Sequence, residues 1–376
     1  MRLLQRYVTG SFLSAFLLGM LVLTFVLSIG LLVKATELVV RGLPLALVAR
    51  FLLVSLPQSF TFTVPLAALV SALLVFGRLS ADGEISAMKS CGVDLFQVML
   101  PVAGLGLLMS VLSVYVNNEI SPRSHFARRS LSASAASGAG LKLLQPGLFI
   151  QDFPGMTFWF ARREGDELFN LLIFDKSRSN KNREIRAERA RVEVDGEDIR
   201  LDMRHVRIEP FSDTQPGAVT ADRLTHVIPG AMKPRVYKPT VSSIPRGELQ
   251  TLVRDLQYEA GALEKNPEAL PAERALALVD IRKRCSAART ELQRRIALGF
   301  APLVFVLLGM PLGIRSQRRE SNIGIAISLA VMVLYYSLLI VTKSVAKRPE
   351  FYPHLLAWLP TLVCGVLAAV LIWRHR

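Results

Sequence analysis

Signatures of self-powered chemistry are missing from this chain. There is no GxxxxGK[ST] phosphate loop, no dinucleotide-binding glycine fingerprint, no HExxH and no GxSxG, which removes the common routes to nucleotide binding, redox-cofactor binding, zinc proteolysis and serine hydrolysis. Histidine is scarce: His125, His205, His226, His354 and His375 stand alone, without a second ligand at metal-binding spacing, and read as surface or packing residues. Cys91, Cys285 and Cys364 fall in a predicted surface stretch, the polar middle and the last apolar run. They make neither a disulfide framework nor a metal knuckle, and leave the redox compartment open. No cofactor is expected.

Charge is absent from six long stretches: 7–33, 51–77, 95–118, 296–314, 321–342 and 351–373. A hydrocarbon core about 30 Å thick needs roughly 20 apolar residues in a helix, so each qualifies as a transmembrane span. None carries an internal Asp, Glu, Lys or Arg, which argues against a proton or ion relay through the membrane. Arg2 and Arg6 precede an apolar run longer than a signal-peptide core with no small-x-small cleavage site, so it is read as a retained first span.

The 376 residues carry a formal charge of +15, and where that charge lies decides its meaning. Residues 119–294, the one large polar region, hold 29 Lys and Arg against 24 Asp and Glu, a net of +5 that leaves +10 for the span ends. That distribution fits membrane anchoring and excludes the one-faced basic footprint of a nucleic-acid binder. With six spans both termini share a side. That side holds nine short-loop basic residues (Arg2, Arg6, Arg78, Lys89, Arg315, Arg318, Arg319, Arg374, Arg376) against six opposite (Lys34, Arg41, Arg50, Lys343, Lys347, Arg348). The positive-inside rule then puts the termini in the cytoplasm and the large polar region outside it.

Between spans two and three lies RLSADGEISAMKSCG, Arg78 to Gly92. Ser80 is a candidate cap for a short helix, with Asp82 and Glu84 in its first turn, Lys89 in its last turn, and Gly92 as a left-handed exit. Ala81, Ile85, Met88 and Cys91 share one face at helical spacing, so one side is expected to rest on neighbouring helices or lipid while the other meets a soluble partner.

Elsewhere the signals are plainer. Lys34, Glu37 and Arg41 continue span one past the membrane at helical intervals; Lys34 either snorkels or meets an anionic headgroup. Pro57 and Pro65 predict a kink or broken turn in span two. From Leu148, short period-two runs separated by Gly, Asp and Asn predict antiparallel strands, a sandwich or jelly-roll module of about 100 residues. Basic residues crowd Lys176–Arg191, either a polyanion site or the solvated face of an outward strand. Helices follow from Pro245, broken at Pro267 and Pro271. Prolines and glycines in span four, and Gly324, Tyr335 and Tyr336 in span five, make these helices candidates for contact with another subunit.

The motif E-[IL]-x-x-M-x-x-[CS]-G, here Glu84, Ile85, Met88, Cys91 and Gly92, resembles that of the LptF/LptG (YjgP/YjgQ) lipopolysaccharide export permeases. So do ELQRRIALGFAPLVFVLLGMPLGI at the entry to span four, Pro65 to Gly77 at the end of span two, and LLQPGLFIQ at the start of the β module. The resemblance covers the whole length, with a slight lean to LptF. It implies an α-helical membrane protein of six transmembrane helices with an extracytoplasmic antiparallel β, jelly-roll-like domain inserted between spans three and four. Residues 1–118 would hold spans one to three with a coupling helix near 80–92, residues 119–294 the periplasmic region with its jelly roll at about 141–240 and linking helices, and residues 295–376 spans four to six.

The resemblance also implies a transport subunit of an ABC transporter in the bacterial inner membrane, without its own ATP site. Its partners would be a homologous permease, a cytoplasmic LptB-like ATPase dimer, and periplasmic LptC/LptA-like jelly-roll bridge proteins; its cargo would be lipopolysaccharide. Asp82, Glu84, Ile85, Met88, Cys91 and Gly92 would couple to the ATPase. Lys34, and Arg41 by proximity, would meet lipid phosphates. Two rival readings stand beside it: a membrane-anchored scaffold or signal transmitter, and a lipid-sugar transferase using Asp82 and Glu84.

Overall fold

The computed structural model describes residues 2–40, 44–138, 146–147, 149–153, 155–175, 183–195, 198–210, 218–228, 239–265, 271–315 and 321–374. The chain divides into two units, one of Met1–Leu32, Leu52–Ala127 and Pro239–Arg376, the other of Val33–Phe51 and Arg128–Lys238.

Helix α1 (Arg2–Val40) continues past its apolar run to take in Lys34 and Glu37, as their spacing implies. Helix α2 (Leu45–Ala81) runs unbroken through Pro57 and Pro65, which overturns the broken turn of the two expected alternatives, a kink or a broken turn. Each proline removes one donor, and in apolar surroundings the other backbone groups have no better partners than the helix's own. After the short α3 (Glu84–Ser90) comes α4 (Leu95–Tyr115), which passes through one π turn (Val116–Ile120) into α5 (Ser121–Gly138). The return consists of α6 (Arg246–Lys265), α7 (Pro271–Gly299), α8 (Ala301–Arg315), α9 (Ser321–Val345), α10 (Pro353–Leu356) and α11 (Leu359–Arg374).

Among the described residues four helical stretches are long and apolar enough to cross a membrane: Arg2–Val40, Leu45–Ala81, Leu95–Leu131 and Pro353–Arg374. The pair Arg274–Gly299 and Ala301–Ile314, bent by 40°, makes up to five if counted as one span. Pro302, one residue into α8, lacks the donor needed to carry the helix straight across the break. The remaining expected span falls on α9, where Leu329–Val345 is a shorter apolar helix. The expected six spans thus appear as four or five, plus this shorter piece.

Close packing holds the bundle. A Cβ on Gly309 of α8 would meet the Ala72 Cβ at 2.8 Å and the Leu69 carbonyl at 3.0 Å, and one on Gly313 would meet the Leu73 carbonyl at 2.9 Å. These glycines bring α8 against α2 of the same chain, a close internal contact that small residues allow. At the other end of α8, the Leu303 N–H, a first-turn donor without a helical acceptor, donates to Ser110 Oγ of α4 at 2.9 Å.

Among its described residues the second unit contains one antiparallel sheet of seven strands: β1 (Ile150–Phe153), β2 (Met156–Trp159), β3 (Arg162–Glu164), β4 (Glu167–Asp175), β5 (Arg183–Asp195), β6 (Asp198–Pro210) and β7 (Val219–Ile228), in the order β1-β2-β4-β5-β6-β7 with β3 paired to β4. Period two buries one face, where Leu171 and Ile173 join Ile185, Ala187, Ile199, Leu201 and Met203. The opposite face is charged. There Arg186 pairs with Glu184 and His205 faces Glu188 at 3.4 Å, while Arg183 closes the end of the apolar face against the buried Asp175 at 2.9 Å, so the described part of the basic stretch, residues 183–191, is a strand with one apolar side and one charged side. Residues 176–182 lie outside the described residues.

Replacing Gly309 with leucine should overpack the α2–α8 contact and lower stability by about 1–3 kcal/mol, read as a lower unfolding temperature of the detergent-solubilised protein. Gly104→Ala, where a Cβ meets nothing within 4 Å, should leave that temperature unchanged.

Candidate functional site

The short helix α3 is built by two left-handed glycines. Helix α2 closes with Asp82 N–H donating to the Arg78 carbonyl at 2.9 Å and Gly83 N–H to the Ser80 carbonyl at 3.2 Å. Gly83, at φ +74°, then turns the chain and stands at the N-cap position with no side-chain cap. At the far end Gly92 N–H donates to the Lys89 carbonyl and Val93 N–H to the Met88 carbonyl, both at 3.0 Å. With Gly92 at φ +73°, this is the paired closure of a Schellman motif. Asp94 next accepts from Phe96 N–H at 2.9 Å and starts α4.

Three expectations are corrected. Ser80 does not cap α3; it is buried, and its hydroxyl donates to the Ile314 carbonyl of α8 at 2.9 Å. Asp82 lies in the turn before the helix, leaving Glu84 as the acid of the first turn. The buried face holds only Ile85 and Met88, 5% and 9% exposed, while Ala81 and Cys91 are exposed. The reversal at Gly83 breaks the helical register between Ala81 and Ile85, and Cys91 sits at the C-cap, where the chain already turns away. Lys89 falls in the last turn and Gly92 makes the exit, as their positions suggest.

Ile85 and Met88 enter one apolar cluster with Val8, Phe12 and Phe16 of α1, Val75, Phe76 and Leu79 of α2, Val98, Met99 and Val102 of α4, and Val306, Met310 and Ile314 of α8. A seven-residue helix thereby joins the apolar cluster that four long helices share. Polar contacts add to this: Tyr7 OH donates to Glu84 Oε1 at 3.4 Å, Gln5 Nε2 to the Gln97 carbonyl at 2.9 Å, and Arg78 Nη2 to Ser11 Oγ at 3.5 Å. The opposite face of α3, with Ser86, Ala87, Lys89 and Ser90, is exposed. Beside it lies a cleft of about 410 Å³ lined by Lys89, Gly92, Val93, Asp94, Leu95, Phe96, Met99 and Ile372. Sequence reasoning passed over Tyr7, which no linear spacing links to Glu84, and Asp94, whose place directly before an apolar run is a cap signal.

The remaining site candidates lie apart from this helix. Lys34 is exposed on α1, and Arg41 lies outside the described residues. Among the described residues no three His, Cys, Asp or Glu side chains converge as a metal site would require.

A family model described as "Lipopolysaccharide export system permease LptF/LptG" matches residues 6–374. The chain belongs to this family. Over 346 residues it is 22% identical to the lipopolysaccharide export system permease protein LptF of Escherichia coli strain K12, covering 88% of this chain and 84% of that protein. It is 30% identical over 118 residues to LptG of the same strain, covering 31% and 32%, and 27% identical over 113 residues to LptG of Haemophilus influenzae, covering 30% and 31%. The far longer match to LptF agrees with the lean to that member. As an LptF/LptG permease the protein is an inner-membrane subunit of lipopolysaccharide export and not itself an enzyme.

Gly92→Val should place a branched side chain in the left-handed region at a cost of about 1–2 kcal/mol. Faster amide exchange over residues 88–93, with exchange in α4 beyond residue 99 unchanged, would register it.

Proposed function

We propose that this permease is the membrane-embedded half of an ABC exporter that extracts lipopolysaccharide from the inner membrane and passes it to a periplasmic bridge of jelly-roll proteins. A separate cytoplasmic ATPase dimer drives it, and a homologous permease faces it. In this reading the chain crosses the membrane six times, its termini and α3 face the cytoplasm, and the β unit faces the periplasm, in keeping with nine short-loop basic residues on the terminal side against six opposite. The observation that carries the reading is α3 itself: an exposed seven-residue helix whose two buried residues enter the apolar cluster shared by α1, α2, α4 and α8.

Asp82, Glu84, Ile85, Met88, Cys91 and Gly92 divide the coupling work by position. Glu84, tethered by Tyr7, and Asp82 offer carboxylates to basic groups of the ATPase. Ile85 and Met88 pass its displacement into the bundle. Cys91 and Gly92 end the helix, so that a push moves it as a unit and does not unwind it. External work is required because drawing acyl chains out of a bilayer costs about 0.8 kcal/mol for each CH₂. Lys34 and Arg41 are assigned to the phosphates of the cargo. The β unit is assigned the acyl chains, and the apolar face that holds Leu171, Ile173, Leu201 and Met203 supports its jelly-roll-like role.

Glu84→Ala should weaken capture of the ATPase by about tenfold, the effect of roughly 1.4 kcal/mol, and stop export while the protein remains folded in the membrane. Wild-type capture and export would sink the coupling role. Lys34→Ala should reduce, without abolishing, the photocrosslinking of lipopolysaccharide to α1; an unchanged yield would leave Lys34 as a snorkelling residue.

A further inference from the structure

At the end of the span bundle away from α3, three charges meet where α7 gives way to the apolar run. Glu291 Oε1 accepts from Arg294 Nη2 at 2.8 Å and Arg295 Nε at 3.1 Å, while its Oε2 accepts from Arg294 Nε at 3.0 Å. Arg295 is 3% exposed. Its Nη1 donates to the Ile244 carbonyl at 2.8 Å, and its Nη2 to the carbonyls of Val241 and Ser242, both at 3.1 Å. One guanidinium therefore grips three backbone carbonyls more than 50 positions away. Those carbonyls belong to a single 3-10 turn, Val241–Ser243, and to Ile244 that closes it, the turn being shaped by a reciprocal pair of hydrogen bonds between Thr240 and Ser243.

The gripped segment has a particular place in the chain. The first unit resumes at Pro239 after the β unit, so 240–244 is the return strap of that module. The departing strand of chain is close by as well, since α7 also packs against the π turn Val116–Ile120, and the charge of Glu119 acts on Arg295. From its other face α7 reaches the last spans, with Trp358 Nε1 donating to Gln293 Oε1 at 3.0 Å and Ser286 Oγ to the Ala346 carbonyl at 3.0 Å.

A buried charge triad is a poor source of stability, because similar triads give way to apolar side chains without loss. What an apolar side chain lacks is a planar fork of donors that holds a backbone in one orientation. The neighbouring π turn carries unsatisfied polar groups: Asn117 and Asn118 are both 3% exposed, and among the described residues both polar atoms of the Asn117 amide and the Asn118 Oδ1 have no hydrogen-bond partner. Single π turns inside long helices mark working sites.

We propose that the Glu291–Arg294–Arg295 triad is a transmission joint, in which Arg295 is the positioning residue that passes movement of α7 and α8 to the return strap of the β module. The inference rests on the exporter reading above. When the bundle is driven from the α3 end, α8 carries the displacement to α7, and the three-carbonyl grip makes the strap follow. Without the grip the bundle still cycles, but the strap lags behind it.

The test uses the full complex, with partner permease and ATPase, in lipid vesicles that deliver lipopolysaccharide to an acceptor. The triple variant Glu291→Leu, Arg294→Met, Arg295→Met leaves no buried charge uncompensated. It should assemble, hydrolyse ATP within twofold of wild type, and deliver at least tenfold less lipopolysaccharide per ATP consumed. Thr240→Val with Ser243→Ala, which loosens the gripped turn and leaves the triad intact, should show the same split and stands in if the triple variant does not assemble. Delivery per ATP equal to wild type in an assembled variant would overturn the joint and leave the exporter reading standing. A wild-type complex that hydrolyses no ATP and delivers no lipopolysaccharide would overturn the exporter reading and this inference with it.

Discussion

The burial of Ile85 and Met88 is the constraint on which the rest depends. Seven residues in water are too few for a stable helix, so α3 exists because two of its side chains are packed among α1, α2, α4 and α8 and because Gly83 and Gly92 fix its ends. Neither side chain can shift without disturbing the cluster around it, since close-packed interiors carry strain and do not absorb it. A helix anchored in this way is a stiff handle. Its outward face is free to be pushed, and its inward face has nowhere to yield.

The handle and the far end of the bundle are joined by α8. Ser80 holds the Ile314 carbonyl at one end, Gly309 and Gly313 bring α8 into backbone contact with α2 along its length, and Ser110 of α4 holds Leu303 near its start. Beyond the bend, α7 continues the line into the buried triad and the strap. Close small-residue packing through the apolar part and directional polar contacts at its two ends follow from the solvent. Inside hydrocarbon there is no hydrophobic force between helices, so contact geometry has to hold them, whereas at the boundaries hydrogen bonds can be both made and oriented.

Much of this was legible in the sequence, and the exceptions have physical causes. Spans one, two, three and six follow from charge-free length alone, because bilayer thickness sets it. The strands follow from period two, because a pleated sheet exposes alternate residues. Gly92 was readable as a helix exit, since few other residues accept its φ. Ser80 was not, because its acceptor, the Ile314 carbonyl, lies 234 positions away and a local cap was the nearer explanation. The glycines of span four announced a close contact but not its partner, which proved to be α2 of the same chain. Glu291, Arg294 and Arg295 stood in a recognised stretch, ELQRRIALGF, yet their burial depends on carbonyls in a turn 51 to 54 positions upstream. The bend at Phe300 had its signal in Pro302, although the prolines of α2 gave a similar one and left that helix continuous.

The central claim, that a driving protein works on the exposed face of α3, is tested most directly by placing a photocrosslinking benzoylphenylalanine at Ala87, exposed between the two buried residues. The claim predicts one adduct with the cytoplasmic ATPase on illumination of intact cells, lost when the same group is moved to Leu108 in the apolar run of α4, 64% exposed. An Ala87 position that yields no ATPase adduct, and is instead labelled by membrane-impermeant reagents from the periplasmic side, would contradict it.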